Sequence, residues 1–324
     1  MSKAIRVHAH GGPEVMILED VATPEPGPGQ VLVRHRAVGV NYIDTYFRTG
    51  AYPVASLPFT PGNEGAGEIV SVGEGVVSFK PGDHVAYVAG PGSYAEERIV
   101  DAKFVVSLPD DIPYETAAAM MLKGLTAQYL LRRTFKVEPG HTILVHAAAG
   151  GVGLILCQWA KALGCTVIGT VGSRDKEKLA RENGCDHAIR YREEDFATRV
   201  KEITGNALCE VVYDGVGRAT FPASLDCLKP FGMFASFGSA SGAIEAFDIG
   251  LLARKGSLYA TRPTLFTHIA DRDVLVAMAD DLFAVVRSGQ VKIPVHSRLP
   301  LASAAEAHRA LEGRATTGAT VLLP

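Results

Sequence analysis

The stretch "HAAAGGVG", His146 to Gly153, follows the apolar run "TILV" and precedes "LILCQWAKALG". Side chains almost vanish there, so the backbone itself is what the position requires. An apolar run, a small-residue turn and a helical pattern make one strand–turn–helix unit. The turn reads Ala148-x-Gly150-x-x-Gly153, a variant of the dinucleotide fingerprint with Ala in the first slot. Small residues let the backbone approach a pyrophosphate, Gly153 lets helix pack close on strand, and the helix N-terminus offers N–H groups to the anion. The spacing predicts a helix from about Val152 to Leu163, closed by Gly164. A tight turn without a ligand is the plainer reading of the glycines alone; the units that follow favour the ligand.

Working outward, strands and helices alternate: "CTVIGTV" then "KEKLARENG", "HAIRY" then "FATRVKEITG", "EVVYDGVG" then a helix around "FPASLDCLK", and "GMFASFG". Repeated βα units imply a parallel sheet with helices on both faces. "SLYATRP" reads as one more strand, and "DVLVAMADDLFAVVRSGQV" as a long helix that returns the chain. Before Lys123 the pattern is different. "QVLVRHRAVGV", "GEIVSVG" and "DHVAYV" are β-rich, and "PEPGPGQ", "FKPGD" and "AGPGS" are turns, which predicts a β-barrel-type domain. The last stretch, "ASAAEAHRALEG" then "GATVLLP", is a helix and a strand with no βα partner after them, and is expected to return to that first domain. The reading is an α/β chain: residues 1–124 plus 293–324 form the β-barrel-type domain, and 125–292 the doubly wound one.

The 324 residues exceed one ordinary core. With 47% hydrophobic and 21% charged residues, the composition is that of a globular protein. The net charge of −3 and pI of about 6.4 leave no basic footprint for nucleic acid. "MSKAIRVHAHGG" lacks the apolar core of a signal peptide, and no stretch approaches the length of a membrane span. Cys157, Cys165, Cys185, Cys209 and Cys227 are odd in number and form no CxxC pair, which fits a reducing cytoplasm.

The second strand selects the dinucleotide. An NAD site holds an acidic residue about 20 residues beyond the glycines, on the ribose 2′-OH. Here Gly172 and Ser173 end the strand, followed by Arg174 and Lys176. A hydroxyl beside two cations suits a 2′-phosphate, which a carboxylate would repel. Tyr191, ending the third strand in "IRYREED", is placed to lean over the same phosphate.

Together "KGLTAQYLLRRT", "HAAAGGVG", "GTVGSRDK", "YREEDF", "VVYDGVG", "SFGSASG", "GSLYATRP" and "RATTGATVLLP" resemble the NADPH-dependent quinone oxidoreductases, the zeta-crystallin-like branch of the medium-chain dehydrogenase/reductase superfamily. "HGGPEV", "GVNYIDTYFRTGAYP" and "PGNEGAGEIVSVG" extend the resemblance over nearly the whole chain. It implies a GroES-like first domain, a Rossmann second domain and an active site in the cleft between them. By position it implies NADPH contacts from Asn41, Ile43 and Tyr46, with Tyr52 nearby; from Lys123 and Tyr129; from Gly150, Gly151 and Val152; from Ser173, Lys176 and Tyr191; from Phe237, Gly238 and Ser239; and from Arg314.

The comparison also shows replaced ligands. Zinc alcohol dehydrogenases of this superfamily carry Cys where this chain has Asn41, and His before Glu where it has Asn63-Glu64, and this chain has no cysteine before Cys157. No metal is therefore expected. A quinone is already electrophilic; hydride transfer to it needs a positioned acceptor and hydrogen bonds to the developing oxyanion rather than a nucleophile. Asn41, Tyr46 and Tyr52 are the candidates for those bonds, with Asp44 orienting them. The same scaffold would serve an NADPH-dependent reductase of activated alkenes. A third reading, a crystallin-like or RNA-binding protein, is disfavoured by the charge. A homodimer is expected through the edge strand "GSLYATRP".

Overall fold

The computed structural model describes residues 1–23, 25–313 and 316–324. The chain divides into two units, Met1–Lys123 with Ile269–Arg287 and Ile293–Pro324, and Gly124–His268 with Ser288–Lys292.

In the first unit, β1 (Ser2–Val7) pairs antiparallel with β2 (Met16–Val21). The long β3 (Gln30–Val40) leads into helix α1 (Tyr42–Thr49), and then come β4 (Glu64–Val72), β5 (His84–Val88), β6 (Glu97–Asp101) and β7 (Val105–Ser107). Helix α1 stops at Gly50, whose φ of 81° only glycine adopts freely. Antiparallel hydrogen bonding joins β3 to β4 and β6, and β5 to β4 and β7. Inward side chains from these strands, among them Val31, Val33, Ile69, Val85 and Val100, close one core. Helix α2 (Tyr114–Tyr129) begins ahead of the predicted "KGLT" and runs on from the first unit into the second. Its residues Ala117 to Met121 are all buried, so it shows no amphipathic stripe to read.

The second unit follows the predicted alternation: β8 (Thr142–Val145), α3 (Gly151–Ala162), β9 (Thr166–Val171), α4 (Arg174–Glu182), β10 (His187–Arg190), α5 (Phe196–Thr204), β11 (Cys209–Asp214), β12 (Leu228–Ser236), α6 (Gly250–Arg254), β13 (Tyr259–Thr261) and α7 (Leu265–His268). Every pairing is parallel, in the order β10-β9-β8-β11-β12-β13. Renumbered from β8, that order is 3-2-1-4-5-6, the doubly wound arrangement whose ligand crevice lies where the order reverses, between β8 and β11. One connection differs from the expectation. The segment around "FPASLDCLK" is a 3₁₀ turn over Ala223–Cys227, because Leu228 already enters β12 and Pro222 has no N–H to extend a helix backwards.

The chain then returns to the first unit through α8 (Arg272–Arg287), β14 (Val295–Pro300), α9 (Ala304–Glu312) and β15 (Ala319–Leu323). Helix α8, expected to close the second domain, groups with the first. The Arg272 guanidinium donates to the carbonyls of Ala102 and Val105 at 2.7 and 2.8 Å, and Arg287 reaches Asp111 at 2.8 Å. Strand β15 pairs with β3, as the partnerless final strand required, and the unforeseen β14 pairs beside it. The alternation "VHSRLP" was too polar to read as a strand.

Candidate cofactor and active site

The second unit presents the glycine turn at the carboxyl end of β8. Gly150 N–H bonds to Ala147 O at 2.8 Å, and Ala147 takes a φ of 54°. A Cβ on Gly153 would sit 2.4 Å from Ala147 O and 2.7 Å from Ala148 O, so α3 can approach the turn only with glycine there. The first-turn N–H groups of α3, from Gly151 and Val152 onward, have no intrahelical acceptor and point the positive end of the helix dipole out of the turn. That is a cradle for an anion.

Beside it, β9 ends at Gly172 and Ser173. Ser173 caps α4, its Oγ accepting from Lys176 N at 3.4 Å. The cap uses a lone pair and leaves the hydroxyl proton available to donate. A Cβ on Gly172 would lie 2.9 Å from Tyr191 Oη, so the structure brings Gly172, Ser173 and Tyr191 together. Arg174 and Asp175 are exposed and Lys176 is half-buried.

Phe237 and Gly238 follow β12, and both amides donate to Asp214 O, at 2.8 and 3.3 Å. A Cβ on Gly238 would meet Gly215 O at 2.5 Å, a close backbone approach that holds this loop against the end of β11. Arg262 donates to Ser236 O at 2.9 Å and to Ser239 Oγ at 3.3 Å. Arg262, Met233, Thr134 and His268 line an open cavity of about 320 Å³. Tyr129 is buried and stacks on His268 at 4.5 Å with 12° between the rings.

Sequence reasoning missed the polar core under this edge. His146 contacts Thr170 Oγ1 and Ser224 Oγ, both at 3.0 Å. Asp214 Oδ1 accepts from Val216 N and Gly217 N at 2.7 and 3.0 Å, while its Oδ2 accepts from Thr220 at 2.6 Å and Ser224 at 3.3 Å. Burial pushes the His146 pKa down, so it serves as a neutral brace tying the ends of β8, β9 and β11 together. Its only signal was the polar "H" inside an otherwise small-residue turn.

The first unit holds the other predicted residues. Asn41, the N-cap of α1, is buried; its N–H donates to Asp44 Oδ2 at 2.8 Å and its Nδ2 to Glu64 Oε1 at 2.7 Å. Lys123 Nζ donates to the same Glu64 oxygen and to Val40 O, both at 3.1 Å, and Leu122 N–H donates to Glu64 Oε2 at 2.6 Å. Asp44 was expected to orient Asn41, Tyr46 and Tyr52. It is wholly buried and holds Asn41, but its other acceptor bonds are to Asn63 Nδ2 at 2.5 Å and Tyr94 Oη at 2.9 Å. Burial raises the Asp44 pKa to about 6 despite these donors. The tyrosines form an aromatic group instead. Tyr46 lies 5.1 Å from Tyr52 and 5.5 Å from Tyr42 between ring centroids, and Tyr52 N–H donates to Tyr46 O at 3.0 Å. Ile43 is half-buried on the same helix. Arg314 lies outside the described residues.

Two family models match: the alcohol dehydrogenase GroES-like domain over residues 27–110, and the zinc-binding dehydrogenase over 151–265. The chain is 52% identical to a quinone oxidoreductase of Pseudomonas aeruginosa, covering 100% of both chains. It is 43% identical to a 2-haloacrylate reductase of Burkholderia sp, covering 100% of this chain and 99% of that one. The crystal structure of Escherichia coli quinone oxidoreductase complexed with NADPH superposes with a TM-score of 0.98 at 46% identity, covering 99% of this chain and 100% of that one.

The zinc in the second model's name has no matching donor set here. The two positions that would supply Cys and His hold amides, Asn63 turns its NH₂ toward Asp44, and the Lys123 ammonium already occupies Glu64. Among the described residues no group of His, Cys, Asp and Glu is placed to hold a metal ion. A GroES-like domain followed by a doubly wound parallel sheet, matched end to end by relatives of about half-identical sequence, places the family: the chain belongs to the quinone oxidoreductases of the medium-chain dehydrogenase/reductase superfamily.

Proposed function

We propose that this chain is an NADPH-dependent quinone oxidoreductase that works without a metal. The observation that carries the reading is the pair of anion-binding features at one sheet edge. The glycine turn heads α3, and the hydroxyl-capped start of α4 stands where an NAD site would hold a carboxylate. Bound NADPH supplies a hydride. On this reading Gly150, Gly151 and Val152 receive the pyrophosphate. Gly172, Ser173, Arg174, Lys176 and Tyr191 surround the 2′-phosphate. Phe237, Gly238 and Ser239, with Asn41, Ile43, Tyr46, Lys123, Tyr129 and Arg314, complete the cofactor contacts. Tyr46 and Tyr52 place the quinone and, with Asn41, bond its developing oxyanion.

A second reading, reduction of activated alkenes, is favoured by the full-length likeness to the 2-haloacrylate reductase, since both acceptors take the same hydride. Turnover of benzoquinone against 2-chloroacrylate with NADPH separates the two. The reading includes a homodimer: β13 is an edge strand, and Tyr259 on it and Phe231 on the adjoining β12 are exposed. It also includes the cytoplasm, supported by five free, buried cysteines. Among the described residues no helix is long and apolar enough to cross a membrane.

A further inference from the structure

The open cavity of about 320 Å³ lies at the β12–β13 edge of the second unit, three strands along the sheet from β9 and the α4 cap. Met233, Thr261, Arg262, Pro263, Thr264 and His268 line it, and all belong to that unit. Arg262 is exposed. Two of its N–H groups donate to Ser236 O at 2.9 Å and Ser239 Oγ at 3.3 Å, which fixes the guanidinium fork and leaves its other donors for a further acceptor. Arg133, also exposed, precedes Thr134 on the cavity wall. Burial, and then the Arg133 charge, lower the pKa of His268, and no carboxylate offsets them. Among the described residues neither Arg133 nor Arg262 has a carboxylate partner. Arg34, Arg36, Arg254, Arg287 and Arg298, equally at the surface, each hold one.

Two guanidinium groups without counter-ions around one hollow make it electropositive, and a carboxylate is the acceptor that an arginine fork fits in bidentate fashion. Met233 and Pro263 add apolar wall, and Thr261 and Thr264 add hydroxyls. A water's share of the liquid is about 30 Å³, so the cavity has the room of roughly ten waters, enough for a small aromatic acid and more than a lone ion needs. His268 is held in the wall by its stack on Tyr129. We propose that this cavity is a second ligand site that binds a small organic acid, its carboxylate on the Arg262 fork and its apolar body against Met233 and Pro263. Every residue of the site comes from the second unit, and the inference stands apart from the oxidoreductase reading above.

Calorimetric titration of the full chain with benzoate tests it, with benzamide as the uncharged isostere and inorganic phosphate as an anion without an apolar body. Benzoate should saturate a single site per chain with a Kd of about a millimolar or below. Benzamide and phosphate should each bind at least about tenfold more weakly. Arg262→Gln should weaken benzoate by about ten- to a hundredfold, the worth of a charged hydrogen bond. Arg133→Gln, at an exposed position, should weaken it by about two- to fivefold, and it carries the test should Arg262→Gln fail to fold for want of its bonds to Ser236 and Ser239. Saturating NADPH should leave benzoate binding unchanged. Absence of saturable benzoate binding, equal affinity for benzamide or phosphate, full affinity in the arginine variants, or displacement of benzoate by NADPH would each overturn the proposal.

Discussion

Lys176 is the residue on which cofactor choice turns. It stands one helical turn into α4, beside a cap hydroxyl and with no carboxylate at the strand end. A charged hydrogen bond is worth roughly 1.5–3 kcal/mol, or about ten- to a hundredfold. Lys176→Ala should raise the KM for NADPH by that factor and leave the KM for NADH and kcat nearly unchanged, because the contact is the same in ground and transition states. Equal penalties with both cofactors would place Lys176 on the shared pyrophosphate. At this scale the sequence was legible where side chains are missing or charged in a row, as in "HAAAGGVG" and "GSRDK". It named Asp44 and Asn63 but was silent on Tyr94, which bonds to Asp44, and on His308, which bonds to Tyr94. The group lies up to 264 positions apart counting the Arg48–Glu312 pair beside His308, and only tertiary packing assembles it.

Among the elements, α3 is the one whose packing and function share a single atom's worth of space. A Cβ at position 153 would overlap two backbone oxygens of the turn, neither of which can rotate away. Gly153→Ala should therefore cost about 1–3 kcal/mol of stability by overpacking and weaken NADPH binding by displacing the helix N-terminus. Urea denaturation and NADPH titration check the two effects, and unchanged values in both would show that the turn yields. The βα units were legible because each strand is a short apolar run and each helix has a polar face. The 3₁₀ turn Ala223–Cys227, strand β14 and the early start of α2 were not. The first is too short for periodicity, the second too polar, and the third too buried to show a stripe.

The whole molecule should be acid-sensitive. Burial holds His35 at about 4, and burial with the neighbouring Arg48 charge holds His308 at about 3, both below the usual 6.5. Stability from each is present above pH 6.5 and lost as pH falls toward those values. Asp44, raised to about 6 by burial, runs the other way, its contribution lost as pH rises through that value. Near pH 5 the unfolded chain holds about two more protons on His35 and His308 and one fewer on Asp44, a net of about one, to which His146, also lowered by burial, adds in the same direction. Stability should then fall by at least ~1.4 kcal/mol per pH unit on acidification. Urea midpoints between pH 7 and pH 5 that stay level would contradict this. For assembly, pairing of two β13 edges predicts a dimer mass by light scattering at micromolar concentration; a monomer there would refute it.

The account stands most directly on what the two strand ends of the second unit bind. The decisive measurement is steady-state reduction of benzoquinone by purified protein with NADPH and with NADH, in chelator-treated buffer. The absent carboxylate and the hydroxyl-capped α4 predict a kcat/KM for NADPH above that for NADH by about tenfold or more, unaffected by the chelator. Equal use of NADH, or turnover lost to the chelator, would contradict it.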